Sequence, residues 1–355
     1  MRRLLSMDGG GVLSLATLTM LQRIEEKFPG FLARADAFAG TSAGGMNALL
    51  MAAHENPADG LDDAFQLWDG TAPIYESSLW RDLGALAGKV AIYDNANLQA
   101  YLRSRLGNRR LKELYYRVVA VTVKLDEQLP GGHRGWAPKV FDSQGGDPED
   151  ADELAVDVGV RTGAFPITFP IFQGYVDGGV VANNPALCML LHEVKRLRMA
   201  ASAVLPETRL LSVGTGAGVA AIEGYNLDWG YGEWLFMPGN PGLFTDMVVS
   251  APMELVTEQC ALLLGGNAFF RLNPWPENVV TPSKSRGGSP DSPVDKLRKK
   301  ALLLGRTADL DPTFRWIEAS GWMDDDGEEA EPTAGAQSTR RSARSPRASG
   351  ATKGT

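Results

Sequence analysis

Residues 36–53 read DAFAGTSAGGMNALLMAA. The short run Asp36 to Ala39 predicts a strand, and Ser42 to Ala53 predicts a helix. Between them stands Gly40-Thr41-Ser42-Ala43-Gly44, a G-x-S-x-G pattern. Glycines flank the serine because the chain must turn sharply there and a Cβ would clash. The turn lifts the Ser42 hydroxyl into the open, at the positive end of a helix. Taken alone, the pattern is as often an ordinary turn. In the order strand, turn, helix, it makes Ser42 a candidate nucleophile.

A second glycine cluster lies upstream. Arg3 to Met7 reads as a strand, and Val12 to Phe28 as a helix with Leu15, Leu18, Leu21 and Ile24 at helical spacing. Between them runs Asp8-Gly9-Gly10-Gly11. The N–H groups of Gly9, Gly10 and Gly11 are unshielded and can converge on an anion. That anion is either a nucleotide phosphate or the oxyanion of an acyl transfer. A P-loop ends in Gly-Lys-Ser/Thr, whereas Val12, Leu13 and Ser14 follow here. The Rossmann spacing counted from Gly9 places Ser14 where its last glycine belongs. With a nucleophile candidate nearby, the oxyanion reading is preferred.

A third cluster is Asp177-Gly178-Gly179, after a short strand holding Tyr175 and Val176. Alone it reads as an Asp-Gly turn. After it, Pro185 to Met199 predicts a helix, with Asn183 or Asn184 as its cap and Pro185 in its first turn. A serine nucleophile needs a base, and the chain has three histidines: His54, His133 and His192. An α/β-hydrolase triad places its histidine late in the chain. Here the last is His192, inside an amphipathic helix close after Asp177, while His54 and His133 read as surface residues. A Ser42–Asp177 dyad is the economical alternative.

These three motifs, in this order, resemble the patatin-like phospholipase family. Its marks are a D-G-G-G oxyanion loop, G-x-S-x-G on a nucleophile elbow, and a D-G-G or D-G-A that carries the catalytic aspartate. Weaker similarities are Arg161 to Pro170 before the aspartate, Leu211 to Gly216 as a late strand and turn, and Phe270 to Pro274 as a closing strand. The resemblance spans roughly residues 3 to 305 and implies a three-layer α/β/α fold with a mainly parallel central sheet. It implies catalysis by Ser42 and Asp177, an oxyanion hole at Gly9, Gly10 and Gly11, a phospholipid or other lipid ester as substrate, and neither cofactor nor metal. It also makes an activator, a small molecule or a protein, a plausible partner. One departure stands out: the family commonly carries G-G-G-x-R/K-G, and here Leu13 and Ser14 occupy the last two positions.

Composition sets the outer bounds. Apolar residues are 44% of the 355, enough for a sizeable core. The net charge of −8 argues against nucleic acid, which selects a basic face. The two cysteines, Cys188 and Cys260, form no C-x-x-C pair, and two reduced thiols in a cytoplasm are the expectation. Arg2 and Arg3 precede an apolar stretch, but Asp8 and three glycines interrupt it, unlike a signal peptide. No continuous apolar run reaches the ~18 residues of a span. The expectation is a soluble, cytoplasmic protein with transient membrane-surface contact. The stretch Trp229 to Met253, rich in aromatic residues among Gly and Pro, is a candidate interfacial patch.

The expected catalytic domain covers 1–322 and a tail covers 323–355. Residues 324 to 331 hold six acids, and residues 332 to 355 hold five bases and no acid. Such a segment buries too little apolar surface to offset chain entropy, so disorder is expected, either as a solvated tail or as a polybasic tether.

Overall fold

The computed structural model describes residues 1–76, 90–217, 222, 224, 226–237, 243–275 and 292–325. Most of the expected tail, from residue 326 on, lies outside these residues, as do residues 238–242 of the expected interfacial patch.

The centre is a seven-stranded sheet. Its strands are β1 (Arg2–Met7), β2 (Ala37–Thr41), β3 (Arg117–Gln128), β4 (Arg134–Asp142), β5 (Tyr175–Asp177), β6 (Thr208–Val213) and β7 (Phe269–Leu272). They run in the order β4-β3-β2-β1-β6-β7, with β5 paired to β3 off that path. From β3 to β7 the pairs along the path are parallel, while β4 and β5 run antiparallel to β3. A parallel strand covered on both faces needs apolar residues at successive positions, and β1, β2 and β6 supply them.

Alternate residues of each strand face two separate cores. Leu5 and Met7 of β1, Phe38 of β2, and Leu211 and Val213 of β6 enter the larger one. The helices over that face are α1 (Ser14–Lys27), α2 (Ala43–Ala52), α3 (Asp59–Trp68), α4 (Ala96–Leu106) and α5 (Ala155–Gly163). Leu4, Ala37, Ala39 and Leu210 enter the smaller core. There they meet residues of α7 (Ala186–Leu197) and α9 (Leu243–Leu264). The numbering leaves α6 (Gly179–Ala182) and α8 (Tyr231–Phe236) between these, and α10 (Pro293–Thr307) beyond. The arrangement is the expected three-layer α/β/α sandwich.

The expected elements appear with shifted ends. The first helix is preceded by a 3₁₀ turn at Gly11–Leu13, and the strand after it runs on to Thr41. Strand β4 lies at the sheet edge with Arg134, Trp136 and Pro138 exposed, and it offers no apolar run to detect. Helix α9 was not anticipated as a unit: its 22 residues are long and apolar enough, by length and composition, to cross a membrane. Asp246, Glu254 and Glu258 interrupt it, so no continuous apolar run reveals it in the sequence.

Long strand β3 is what brings the two halves of the site together. Its first residues pair with β2, ending at Val121 opposite Thr41. Its next residue, Thr122, pairs with Asp177 of β5. Strand β5 therefore takes over beside β3 where β2 stops, so the residue after β2 and the last residue of β5 arrive at one place.

At the other end of β3 a charge cluster is sealed in. Arg117 donates through Nε to Asp142 Oδ1 at 2.8 Å and through Nη1 to Glu193 of α7. The side chains of Arg117, Asp142 and Glu193 are 3%, 2% and 1% exposed, so none has water as a substitute partner. The Arg117 guanidinium outweighs burial and holds the Asp142 carboxyl well below the usual carboxylate range. Removing Arg117 leaves the two buried carboxylates beside more exposed partners, His192 for Asp142 and Arg196 for Glu193. Arg117→Met is expected to lower the unfolding free energy by about 3–5 kcal/mol, measured by urea denaturation at pH 7.

Candidate active site

Ser42 sits between β2 and α2 with φ 54° and ψ −124°. This is a conformation that non-glycine residues avoid, at a cost of about 1–3 kcal/mol, and it is held because its surroundings leave no other path. Gly44 supplies one reason. A Cβ there would lie 2.2 Å from the Met7 carbonyl oxygen, so only glycine lets α2 start directly above β1. Thr162 of α5 supplies another: its hydroxyl accepts from the Ser42 N–H at 2.9 Å and donates to the Val121 carbonyl of β3 at 2.7 Å. The Thr41 hydroxyl donates to the Ala182 carbonyl of α6 at 2.7 Å. The elbow is thus tied to the sheet and to the helix that follows Asp177.

Asp177 is completely buried. Its N–H donates to the Ala164 carbonyl at 3.0 Å, which fixes the end of β5. Its Oδ1 accepts the Gly179 N–H at 2.7 Å, while Oδ2 makes no hydrogen bond within normal geometry. Burial raises the Asp177 pKa to about 7, against the lowering pull of the Ser42 hydroxyl and the Gly179 N–H. Ser42 is therefore near enough to act on the carboxyl, although the pair is not closed into a formed hydrogen bond. A carboxylate with a free oxygen and a pKa near neutrality suits a general base.

The glycine loop lies against this pair. A Cβ on Gly9 would stand 3.1 Å from the Ser42 Cβ, and Gly11 has φ +55°. The three N–H groups differ in what they do. Gly9 N–H donates to the Asn183 carbonyl at 3.0 Å, and the Asn183 side chain returns a bond to the Gly9 carbonyl at 3.2 Å. Among the described residues, the Gly10 and Gly11 N–H groups have no such acceptor. Gly9 anchors the loop, and the N–H groups of Gly10 and Gly11 are left without that anchoring role. Beyond them, the Tyr75 hydroxyl lies against the loop, 3.3 Å from where a Cβ on Gly11 would stand.

Some functional neighbours were not legible as such in the sequence. Arg271 of β7 donates through Nη1 to Asp8 Oδ1 at 2.9 Å and through Nη2 to Asp8 Oδ2. Its Nη1 also donates to the Ser212 hydroxyl at 2.8 Å. Asp8 is fully buried and Arg271 only 10% exposed, so the two charges answer each other. The loop lacks a cation at Leu13 and Ser14, and one arrives from a strand 263 residues away in sequence. The run Phe270 to Pro274 marked a strand, but nothing local assigned Arg271 a partner. Asn183 or Asn184 is the expected cap of the next helix; Asn184 accepts from the Ala186 N–H at the start of α7, and Asn183 grips the loop.

The histidines stand elsewhere. His54 is bonded to Asp63 at 2.9 Å, His192 faces Asp142 at 3.3 Å, and His133 is exposed. Neither His54 nor His192 is bonded to Ser42.

Comparison with known proteins gives the same picture. The family model for patatin-like phospholipases matches residues 5–189. A cGAMP-activated phospholipase of Pseudomonas aeruginosa is 32% identical over 288 residues, covering 79% of this chain and 80% of that protein. Protein teg of Priestia megaterium is 26% identical over 89% of this chain and 98% of its own length. Patatin-like protein 2 of Oryza sativa is 28% identical over 71% of this chain and 70% of its own. The matched span holds the glycine loop, the Ser42 elbow and Asp177, and this chain belongs to the patatin-like phospholipase family.

Proposed function

We propose that the protein is a phospholipase A that hydrolyses fatty-acyl esters of phospholipids through Ser42 and Asp177, without a metal. The buried carboxyl of Asp177, with one free oxygen beside a strained serine, is the observation that carries this reading. Asp177 Oδ2 takes the Ser42 proton as Oγ bonds to the ester carbonyl carbon. The N–H groups of Gly10 and Gly11 donate to the oxyanion. The C–O bond to the lysolipid breaks, and the proton on Asp177 passes to the leaving oxygen. Water then attacks the acyl-Ser42 ester, giving its proton to Asp177. The fatty acid leaves, and Asp177 returns that proton to Ser42.

The Asp8–Arg271 pair supports the oxyanion role. It pins the residue before the three glycines, so the N–H groups are aimed before substrate arrives and need no reorganisation during reaction. A switched activity is the second reading, favoured by the cGAMP-activated relative and by a Ser42–Asp177 pair that is not closed. An activator that tightened this pair would turn the enzyme on.

A fluorophosphonate probe should label wild type and leave Ser42→Ala unlabelled, with fatty acid released from mixed liposomes by wild type only. Labelling without release would favour the switched reading, and no labelling of wild type would overturn the dyad. Asp177→Asn should lose about 10²–10⁴-fold in turnover, the usual worth of a general base. The base acts when ionised, so kcat/KM on a short soluble ester should fall about tenfold per pH unit below about 7 and level off above it. The sign for stability is opposite. The folded state holds this proton more tightly than the unfolded state, so ionised Asp177 destabilises the fold, and Asp177→Asn should melt higher than wild type at pH 8. Arg271→Leu should slow hydrolysis by about 10²-fold through misplacement of the loop, with Asp8→Asn on top restoring part of the loss.

A further inference from the structure

We propose that α9 docks along an uncharged, zwitterionic lipid surface and that this contact reaches the catalytic loop through Met253 and Asn183. The proposal rests on the hydrolase reading and adds to it the face that meets the lipid and the lipid charge it selects.

Helix α9 holds to the protein by a narrow stripe. Met253 is 8% exposed and Cys260, seven residues on, is fully buried. The far side also carries an apolar row, with exposed Glu258 standing between Leu255 and Leu262. Phe244, Val248, Leu255 and Leu262 follow at intervals of four, seven and seven, which stacks them on one face of a helix. All four face solvent, Leu255 at 55% and Leu262 at 87% exposed. A 22-residue helix is about 33 Å long, so this row is far more than a stray surface leucine.

The occupant follows from charge and from position. Helix α9 contains Asp246, Glu254 and Glu258 and no lysine or arginine. Anionic leaflets attract basic segments and repel acids, so the surface suited to this helix carries no net charge. The same acids, and the inward contacts at Met253 and Cys260, set the helix along the surface rather than across it. The apolar surface also continues toward the site. Helix α6, which begins two residues after Asp177, packs against α9 and exposes Val180 and Val181. A membrane docked on this face would also carry the substrate of the proposed hydrolysis.

The inner face of α9 touches the machinery. Asn183 Nδ2 donates to Met253 Sδ at 3.0 Å and to the Gly9 carbonyl at 3.2 Å. Its own carbonyl accepts the Gly9 N–H. Movement of α9 on a lipid surface is thereby felt by the residue that anchors the oxyanion loop.

The test is flotation of the full chain with phosphatidylcholine vesicles and with vesicles containing added phosphatidylserine. Fatty-acid release is measured from the same vesicles, and hydrolysis of a short monomeric ester alongside. Wild type is expected to float with phosphatidylcholine, with no gain from phosphatidylserine. The exposed double variant L255Q/L262Q is expected to lose about tenfold or more in vesicle binding and vesicle hydrolysis, with a far smaller change on the monomeric ester. Met253→Leu is expected to float like wild type and lose the rate gain that vesicles give. Equal flotation of L255Q/L262Q and wild type would overturn the proposal, as would flotation with anionic vesicles only. Conversion of a dimer to a monomer by L255Q/L262Q, with flotation intact, would assign the stripe to a second copy instead. Stimulation of Met253→Leu equal to wild type would overturn the coupling. Wild type that floats on phosphatidylcholine, yet neither releases fatty acid nor takes a fluorophosphonate, would overturn the hydrolase reading and leave the docking face standing.

Discussion

The site depends on the pairing of β3. Val121 closes the ladder with β2, and Thr122 opens a second ladder with β5. Ser42 follows the last residue of β2, and Asp177 is the last residue of β5. A shift of one residue in either register would turn its side chains to the other face of the sheet. Thr162 reinforces the junction by bonding both Val121 and the Ser42 N–H. Residues 135 apart in sequence therefore meet because two short strands share one long one.

Burial at that junction makes a carboxyl reactive and makes it a burden at once. Water would keep Asp177 ionised at neutral pH, with little basicity to offer. Its complete exclusion lifts the pKa to about 7, and the Gly179 N–H and Ser42 hydroxyl offset only part of the rise. The strained Ser42 backbone is a second local cost. Both are carried by surroundings that are conventional: two apolar cores on the two faces of a sheet, and a sealed Arg117–Asp142–Glu193 cluster at the far end of β3.

The glycine loop illustrates how little of the proposed oxyanion hole is local. Glycine makes the N–H groups accessible, but direction comes from outside the loop. Arg271 holds Asp8, and Asn183 holds Gly9. Through Asn183 the same loop is joined to α9, whose outer face exposes Phe244, Val248, Leu255 and Leu262. Catalytic loop and exposed helix are thus two ends of one short hydrogen-bonded chain.

The sequence by itself determined the strands β1, β2, β5 and β6, the helices after β1, β2 and β5, and the three glycine-bearing motifs. These follow from short-range rules: apolar period, turn chemistry and the need for missing side chains at sharp bends. It named Ser42 and Asp177 as partners only by elimination of histidine and by family resemblance, since no spacing joins residues so far apart. Edge strand β4, the acid-interrupted helix α9 and the use of Gly9 as an anchor gave no local signal. Arg271 was visible only as part of a strand. Which residue it would neutralise was decided by the order of β1, β6 and β7 across the sheet, because a charge pair is selected by distance in space and not by distance along the chain.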